Sequence, residues 1–393
     1  MTRSKLLLGL SALCLAAIAA PALAASPKGS AKTGLADLTQ LNLIVIQDMT
    51  AGADVEGKSW IGGNLNNANT MGIGSNANPS QGFTPSTFAT LAVGGNVTGN
   101  LNLNNGPNGT LKNAVTPAGA TIGGNVGTIN LNAANATLLV GGSIGQTNGG
   151  NGATIEAGGG LGSNSHPTGV LVKGDLGAAF ATPLQKSLSD QTATFVSDLK
   201  SLSSALAALS PTAGASFNDS DPNNATFKAV DTGKLGYAVI DITTAQLQDA
   251  RNLQFDLAKV GGGYLTTVIN VIGSGSVAIS ANDNAVSVSP YVIWNFESAS
   301  HIDTNTQFNG SLLAPLASVA NHSPINGAVA VKSFTQGGEV HLGTFAGDPA
   351  LSKAISGAVP EPSTWMMLIG GVGLVGGALR RRRAMAGALV QTV

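Results

Sequence analysis

Few side chains in this chain are of types that do chemistry. Its 393 residues include four histidines and one cysteine. The histidines are His166, His301, His322 and His341, and no two stand at the His-x-x-x-His spacing that sets two imidazoles on one helical face for zinc. His341 follows Glu339 and could pair with an acid such as Asp303, but a lone histidine of this kind is ordinarily a satisfied structural group. No Gly-x-Ser-x-Gly or phosphate-loop spacing lies on a strand-to-helix turn, where either would work. Asp219-Ser220-Asp221-Pro222-Asn223 alternates oxygen ligands as calcium loops do. It lacks the glycine at position six and the glutamate at position twelve of an EF-hand, and reads as a solvated loop. These patterns argue against an enzyme and call for no catalytic residue, metal or cofactor.

The ends are more specific. Arg3 and Lys5 precede an uncharged run from Leu6 to Ala20, and Ala22-Leu23-Ala24 offers small residues where a signal peptidase reads them. Cleavage is expected after Ala24, giving a signal peptide over 1–24. The run is 15 residues, short of the ~20 that a spanning helix needs. Cys14 lies inside it, so the mature chain has no thiol. Near the other end Val359-Pro360-Glu361-Pro362 precedes an uncharged, glycine-rich stretch from Trp365 to Leu379. Arg380, Arg381, Arg382 and Arg383 then act as a stop on the cytoplasmic side. Such a stretch reaches only ~22 Å against a ~30 Å hydrocarbon core, which suits a transient hold in the inner membrane. This tripartite end resembles the PEP-CTERM sorting signal. The resemblance implies that Val359 to Pro362 are the recognition motif, that an exosortase removes the tail, and that the host is a Gram-negative bacterium. The tail over 384–393 is longer than the pattern usually allows.

Between the signals, 13 basic and 19 acidic side chains give a net charge of −6, which lacks the basic footprint of a nucleic-acid binder. Charged residues make up 10% of the chain, while Gly, Asn, Ala, Ser and Thr dominate, as in repetitive β-structure. One pattern recurs: Ile61-Gly62-Gly63-Asn64-Leu65, Val93-Gly94-Gly95-Asn96-Val97, Ile122-Gly123-Gly124-Asn125-Val126 and Val140-Gly141-Gly142-Ser143-Ile144. Val172-Lys173-Gly174-Asp175-Leu176 reads as the last copy. Irregular intervals of 32, 29, 18 and 32 residues fit coils of a β-solenoid with loops inserted at the corners. Asn100-Leu101-Asn102-Leu103-Asn104 and Asn130-Leu131-Asn132 alternate as strands do, with Leu inward and Asn outward or in a ladder between coils.

Leu184, Leu188, Phe195, Val196, Leu199, Leu202, Leu206 and Leu209 instead form a helical stripe. The spacing predicts a helix over 183–209, with Thr182 as N-cap and Pro183 in the first turn, lying along the solenoid. A polar loop is expected from Thr212 to Asn224, then strands at Tyr237–Thr243, Leu253–Leu257, Tyr264–Ile272 and Val286–Phe296.

The body, over 36–347, resembles the choice-of-anchor A domain of bacterial surface proteins. The residues that carry this are Leu43 to Asp48, the Gly-Gly-Asn copies, Val292 to Phe296, Gly310 to Pro315, Ile325 to Gly327 and Gly338 to His341. The stretch from Leu313-Ala314-Pro315 to Ile325-Asn326-Gly327 is also similar to ice-binding β-helix proteins, whose solenoids carry a long flanking helix. The resemblance implies a right-handed β-helix with that helix on its flank, followed by a linker over 348–358 and the sorting segment over 359–383. The function read from the chain is adhesion to exopolysaccharide or a cell surface through rows of Asn and Thr. An ice-binding face is the alternative: Thr121, Thr128, Thr137 and Thr154 are available, but no sustained Thr-x-Thr ladder. A polysaccharide-active enzyme is a lesser alternative, since the central coils carry Asn and Thr where such enzymes place acids or bases.

Overall fold

The computed structural model describes residues 29–72, 86, 88–104, 119–166 and 169–358. Ala22 and Ala24, the motif Val359 to Pro362 and the arginines 380–383 lie outside the described residues. Among the described residues no helix is long and apolar enough to cross a membrane.

The body is a parallel β-solenoid. Short strands stack coil on coil; those of the open sheet set apolar side chains inward and polar ones outward, while Leu43–Val45 and Val292–Asn295 are buried throughout. In Val97–Leu103 and Val126–Leu131, for example, Val97, Leu101, Leu103, Val126, Ile129 and Leu131 are buried. One sheet begins with Tyr237–Thr243, Thr266–Ile272 and Val292–Asn295 and passes through Ser311–Asn321 and Val329–Gln336. It continues through Leu43–Val45, Ser59–Ile61, Leu91–Val93 and Gly119–Ile122 to Thr137–Val140, Thr154–Ala157 and Leu171–Lys173. The coil order is therefore not the chain order. The chain enters mid-solenoid and climbs to Leu171–Lys173. It then returns along the flank as a helix, and its second half builds coils up to the first one. There Val329–Gln336 pairs with both Leu43–Val45 and Met49–Thr50.

The returning helix is α2 (Ala178–Ala207), preceded in the chain by α1 (Ala31–Gln40). The expected start at Thr182-Pro183 is corrected: Gly177, at φ +70°, ends the last coil, and Pro183 lies inside the helix. A left-handed backbone there suits glycine and lets the chain reverse tightly. The stripe does face the solenoid. Leu188, Phe195, Leu199, Leu202 and Leu206 are buried against Ile44, Trp60, Val239, Val268, Ile293 and Leu313. A polar staple fixes its register. Asn295 Nδ2 donates to Ser203 O at 2.9 Å and to Asn270 Oδ1 at 3.0 Å. Asn270 Nδ2 in turn donates to Leu206 O and Asp241 Oδ1, both at 3.0 Å. The residues read as a linker hold a further helix, Pro349–Ala358, whose Leu351 and Ile355 are buried in the same cluster.

Three further expectations are corrected. Val172 pairs with Ile155, so it stands two positions out of register with the earlier copies, and the fifth copy is Ala157-Gly158-Gly159-Gly160-Leu161. Val286–Tyr291 is a 3-10 turn containing Pro290, which has no N–H for a ladder, and only Val292–Asn295 is strand. The polar loop contains a strand, Ala215–Asn218, whose Phe217 stacks on Phe227 at 4.4 Å.

Candidate functional site

One flank of the solenoid is covered by α1 and α2. The adjacent sheet is not. It runs through Gly275–Ile279, Ala299–Thr304, Ser318–Asn321, Ser333–Gln336, Met49–Thr50 and Leu65–Met71. It ends with Val97–Leu103, Val126–Leu131, Ile144–Gly149 and Leu161–Ser165. The register sets outward side chains in columns. One is Asn100, Thr128, Gln146 and Ser163; the next is Thr70, Asn102, Asn130, Asn148 and Ser165. Neighbours in a column are ~4.8 Å apart, the spacing of paired strands. The upper strands of this face, from Leu65–Met71 to Leu161–Ser165, contain no ionisable side chain.

The amides hold one another. Asn148 Nδ2 donates to Asn130 Oδ1 at 2.9 Å, and Asn130 Nδ2 donates to Asn102 Oδ1 at 2.8 Å. Each such amide keeps a second N–H and a second lone pair for an outside partner. Because the ladder already fixes the rotamers, a ligand orders little on binding. At the edge of the face a second ladder turns the corner. Asn64 N–H donates to Asp48 Oδ1 at 2.6 Å, Asn96 N–H to Asn64 Oδ1 at 2.9 Å, and Asn125 N–H to Asn96 Oδ1 at 2.8 Å. Ser143 N–H closes it on Asn125 Oδ1, also at 2.8 Å. The Asn of each Gly-Gly-Asn copy is thus a cross-coil acceptor.

The four threonines named from the sequence do not share a row. Thr121 lies on the helix-covered sheet beside Ala92 and Leu139, Thr137 stacks on Thr154 in another column, and Thr128 lies between Asn100 and Gln146. Trp60 and Trp294 are buried, so neither offers an aromatic platform on this face.

The histidines separate. His166 sits at the top of the solenoid, with Nε2 2.8 Å from Thr147 Oγ1 and Nδ1 2.9 Å from Gly149 O. His341 pairs with Glu339 at 3.0 Å and not with Asp303. Asp303 belongs instead to the lower open face, 3.1 Å from His301 Nε2 and 3.8 Å from His322 Nε2. His301 Nδ1 lies 2.8 Å from Ser318 Oγ. A hydrolytic triad uses Nε2 toward serine and Nδ1 toward the acid. The orientation here is reversed, which suits a stacked polar ladder rather than an activated nucleophile. In the candidate calcium loop the carboxylates are engaged: Asp221 accepts from Asn223 N–H and Asn224 Nδ2, and Asp219 accepts from Gln246 Nε2. The Asn224 amide first, then the Asn223 N–H, holds the Asp221 carboxyl below the usual carboxylate range.

Alternation in the sequence pointed to the Asn102 and Asn130 column but not to Gln146 and Ser163. Gln146 and Ser163 lie in Ile144–Gly149 and Leu161–Ser165, where no apolar residue alternates with them.

Residues 34–342 match a family model described as an ice-binding-like adhesive domain. Residues 358–383 match the PEP-CTERM protein-sorting motif, which supports an exported surface protein handled by an exosortase. The first match carries the ice-binding-like half of the resemblance and not the choice-of-anchor A name. Neither a curated protein nor a solved structure matches the chain.

Proposed function

We propose, because the chain belongs to the ice-binding-like adhesive domain family, that it is an adhesive protein that holds exopolysaccharide or cell-surface glycan on its uncovered polar sheet. The observation that carries this is the pair of columns through Thr128 and Asn130, uncharged and unshielded by a helix. Hydroxyl-rich ligands need many directed donors and acceptors and little charge. A nucleic acid needs cations that this face lacks. The ice-binding reading is the second one, and the family name favours it, but the dispersal of the threonines over several columns counts against a regular ice face.

In this reading residues 1–24 are a signal peptide cut by signal peptidase, 36–347 form the right-handed adhesive β-helix, and 384–393 stay cytoplasmic until the tail is processed. Exosortase then acts at Val359, Pro360, Glu361 and Pro362, while the arginines 380–383 stop transfer at the inner membrane. The protein reaches the cell surface or the extracellular matrix.

Co-sedimentation of the purified chain with exopolysaccharide from the source bacterium tests the reading. Saturable binding that soluble polysaccharide competes away is the expected result. Retention on ice with no polysaccharide binding would replace it with the second reading.

A further inference from the structure

We propose that Glu56, Glu339 and His341 form a binding site for a divalent transition-metal ion, at the seam where the last coil closes onto the first. One ligand atom from each of the three lies within 4.8 Å of the others. The seam joins distant parts of the chain. Val55 bridges both Met71 and Val340, and Glu56 N–H donates to Val340 O at 2.9 Å. An ion here would tie the N-terminal entry strand to the end of the body. This inference concerns a site apart from the open sheet and stands independently of the adhesive reading.

The surroundings orient the ligands. His341 Nδ1 lies 2.8 Å from Asn326 Oδ1, and Asn326 Nδ2 donates to Asn309 Oδ1 at 2.8 Å. Both asparagines are buried, so the Asn326 amide is held with its oxygen toward the ring. Nδ1 thus faces the amide, and Nε2 is directed at Glu339 Oε2, 3.0 Å away. A second partner fixing one ring nitrogen so that the other faces the ion is how metal-bound histidines are generally held. Asn42 Nδ2 anchors the His341 carbonyl at 2.9 Å. Glu56 Oε2 accepts from Leu342 N–H at 2.7 Å, which aims the carboxylate and leaves its second oxygen for a metal. The Glu339 side chain is 48% exposed, so an ion can exchange with solvent. One imidazole and two carboxylates suit zinc or manganese; calcium asks for six to eight oxygens.

Zn2+ titrated into the purified full chain at neutral pH, followed by calorimetry and thermal melts, tests the site. The expected result is one ion per chain and a Tm that climbs with the logarithm of free Zn2+. His341→Ala and Glu339→Gln should each weaken binding at least about tenfold, and the exposed Glu339→Gln should leave the zinc-free Tm unchanged. Should His341→Ala fold poorly, the exposed Glu339→Gln carries the comparison. The proposal is overturned by no saturable binding. It is also overturned if binding survives both variants, or is lost only in His301→Ala/His322→Ala, which would place the ion on the open face.

Discussion

Gly94→Val is expected to unfold the solenoid or lower its stability by more than about 4 kcal/mol, in the range reserved for severe core disruption. A Cβ on Gly94 would stand 2.1 Å from the backbone oxygen of Gly62 in the coil below. The same holds up the stack: the added atom would meet Gly94 O at 2.2 Å from Gly123, Gly123 O at 2.4 Å from Gly141, and Gly141 O at 2.3 Å from Gly158. These are backbone contacts, so no rotamer change relieves them, and the ladder bond from Gly94 N–H to Ile61 O at 2.8 Å would have to break. Gly127→Ala is the control. Its Cβ would meet nothing closer than 3.5 Å, and its stability should change by less than about 0.5 kcal/mol. Denaturant midpoints of the two variants decide it, and a Gly94→Val protein as stable as the parent would show that the coils do not touch at this corner.

Asp37→Asn is expected to stabilise the protein at pH 8 by roughly 2–4 kcal/mol and to do nothing near pH 3. Asp37 on α1 is buried, and its Oδ2 has no hydrogen-bond partner. Burial, and then the charge of Asp198 on α2, push its carboxyl up to about 7. Burial also raises Asp198, against the opposing Ser30 N–H that donates to it at 2.6 Å. For an acid raised in the folded state the sign is fixed. Below the ordinary value of 3.8 both states hold the proton and nothing is lost. Stability then falls as pH rises from there to about 7, and stays at the lower level above it. An amide at this position removes that slope. Urea melts at the two pH values measure it, and a gain equal at both would mean that titration of Asp37 is not its source.

The Gly-Gly-Asn copies made the solenoid legible because each residue in them has a physical duty. The first glycine clears the backbone of the coil below, and the Asn oxygen caps the N–H of the coil above. The helix stripe was legible for the same kind of reason, since Phe195 and Leu199 must be covered. The order of the coils was not legible. Pairing of Leu43 with Val329 brings together segments nearly a whole domain apart, and nothing local encodes it. Nor did the sequence reveal α1, where Leu35 and Leu38 are buried but the helix spans only 10 residues. His341 was paired with the right kind of group, an acid, but its partner is the neighbouring Glu339, two positions away on the same outward side. Asp303 found His301, two positions away, and His322, which sequence distance had hidden. On the candidate face, the Asn alternation gave one column and Asn100 of the other, whose Gln146 and Ser163 no apolar alternation marks.

The central claim is that the uncovered polar sheet is the binding surface. The most direct measurement is a binding isotherm with exopolysaccharide for a chain carrying Asn100→Leu, Thr128→Val and Gln146→Met. These changes keep size and strand compatibility and remove the side-chain hydrogen-bonding groups of three of the four residues in one column. A matched variant on the outer side of α2, Lys186→Met with Asp190→Leu, alters an exposed ion pair elsewhere. The account predicts at least about tenfold weaker binding for the first, since each lost hydrogen bond is worth ~0.5–1.5 kcal/mol. Both variants should keep the parent melting temperature, and the second its affinity. Unchanged affinity in the first variant, or loss in the second alone, would contradict it.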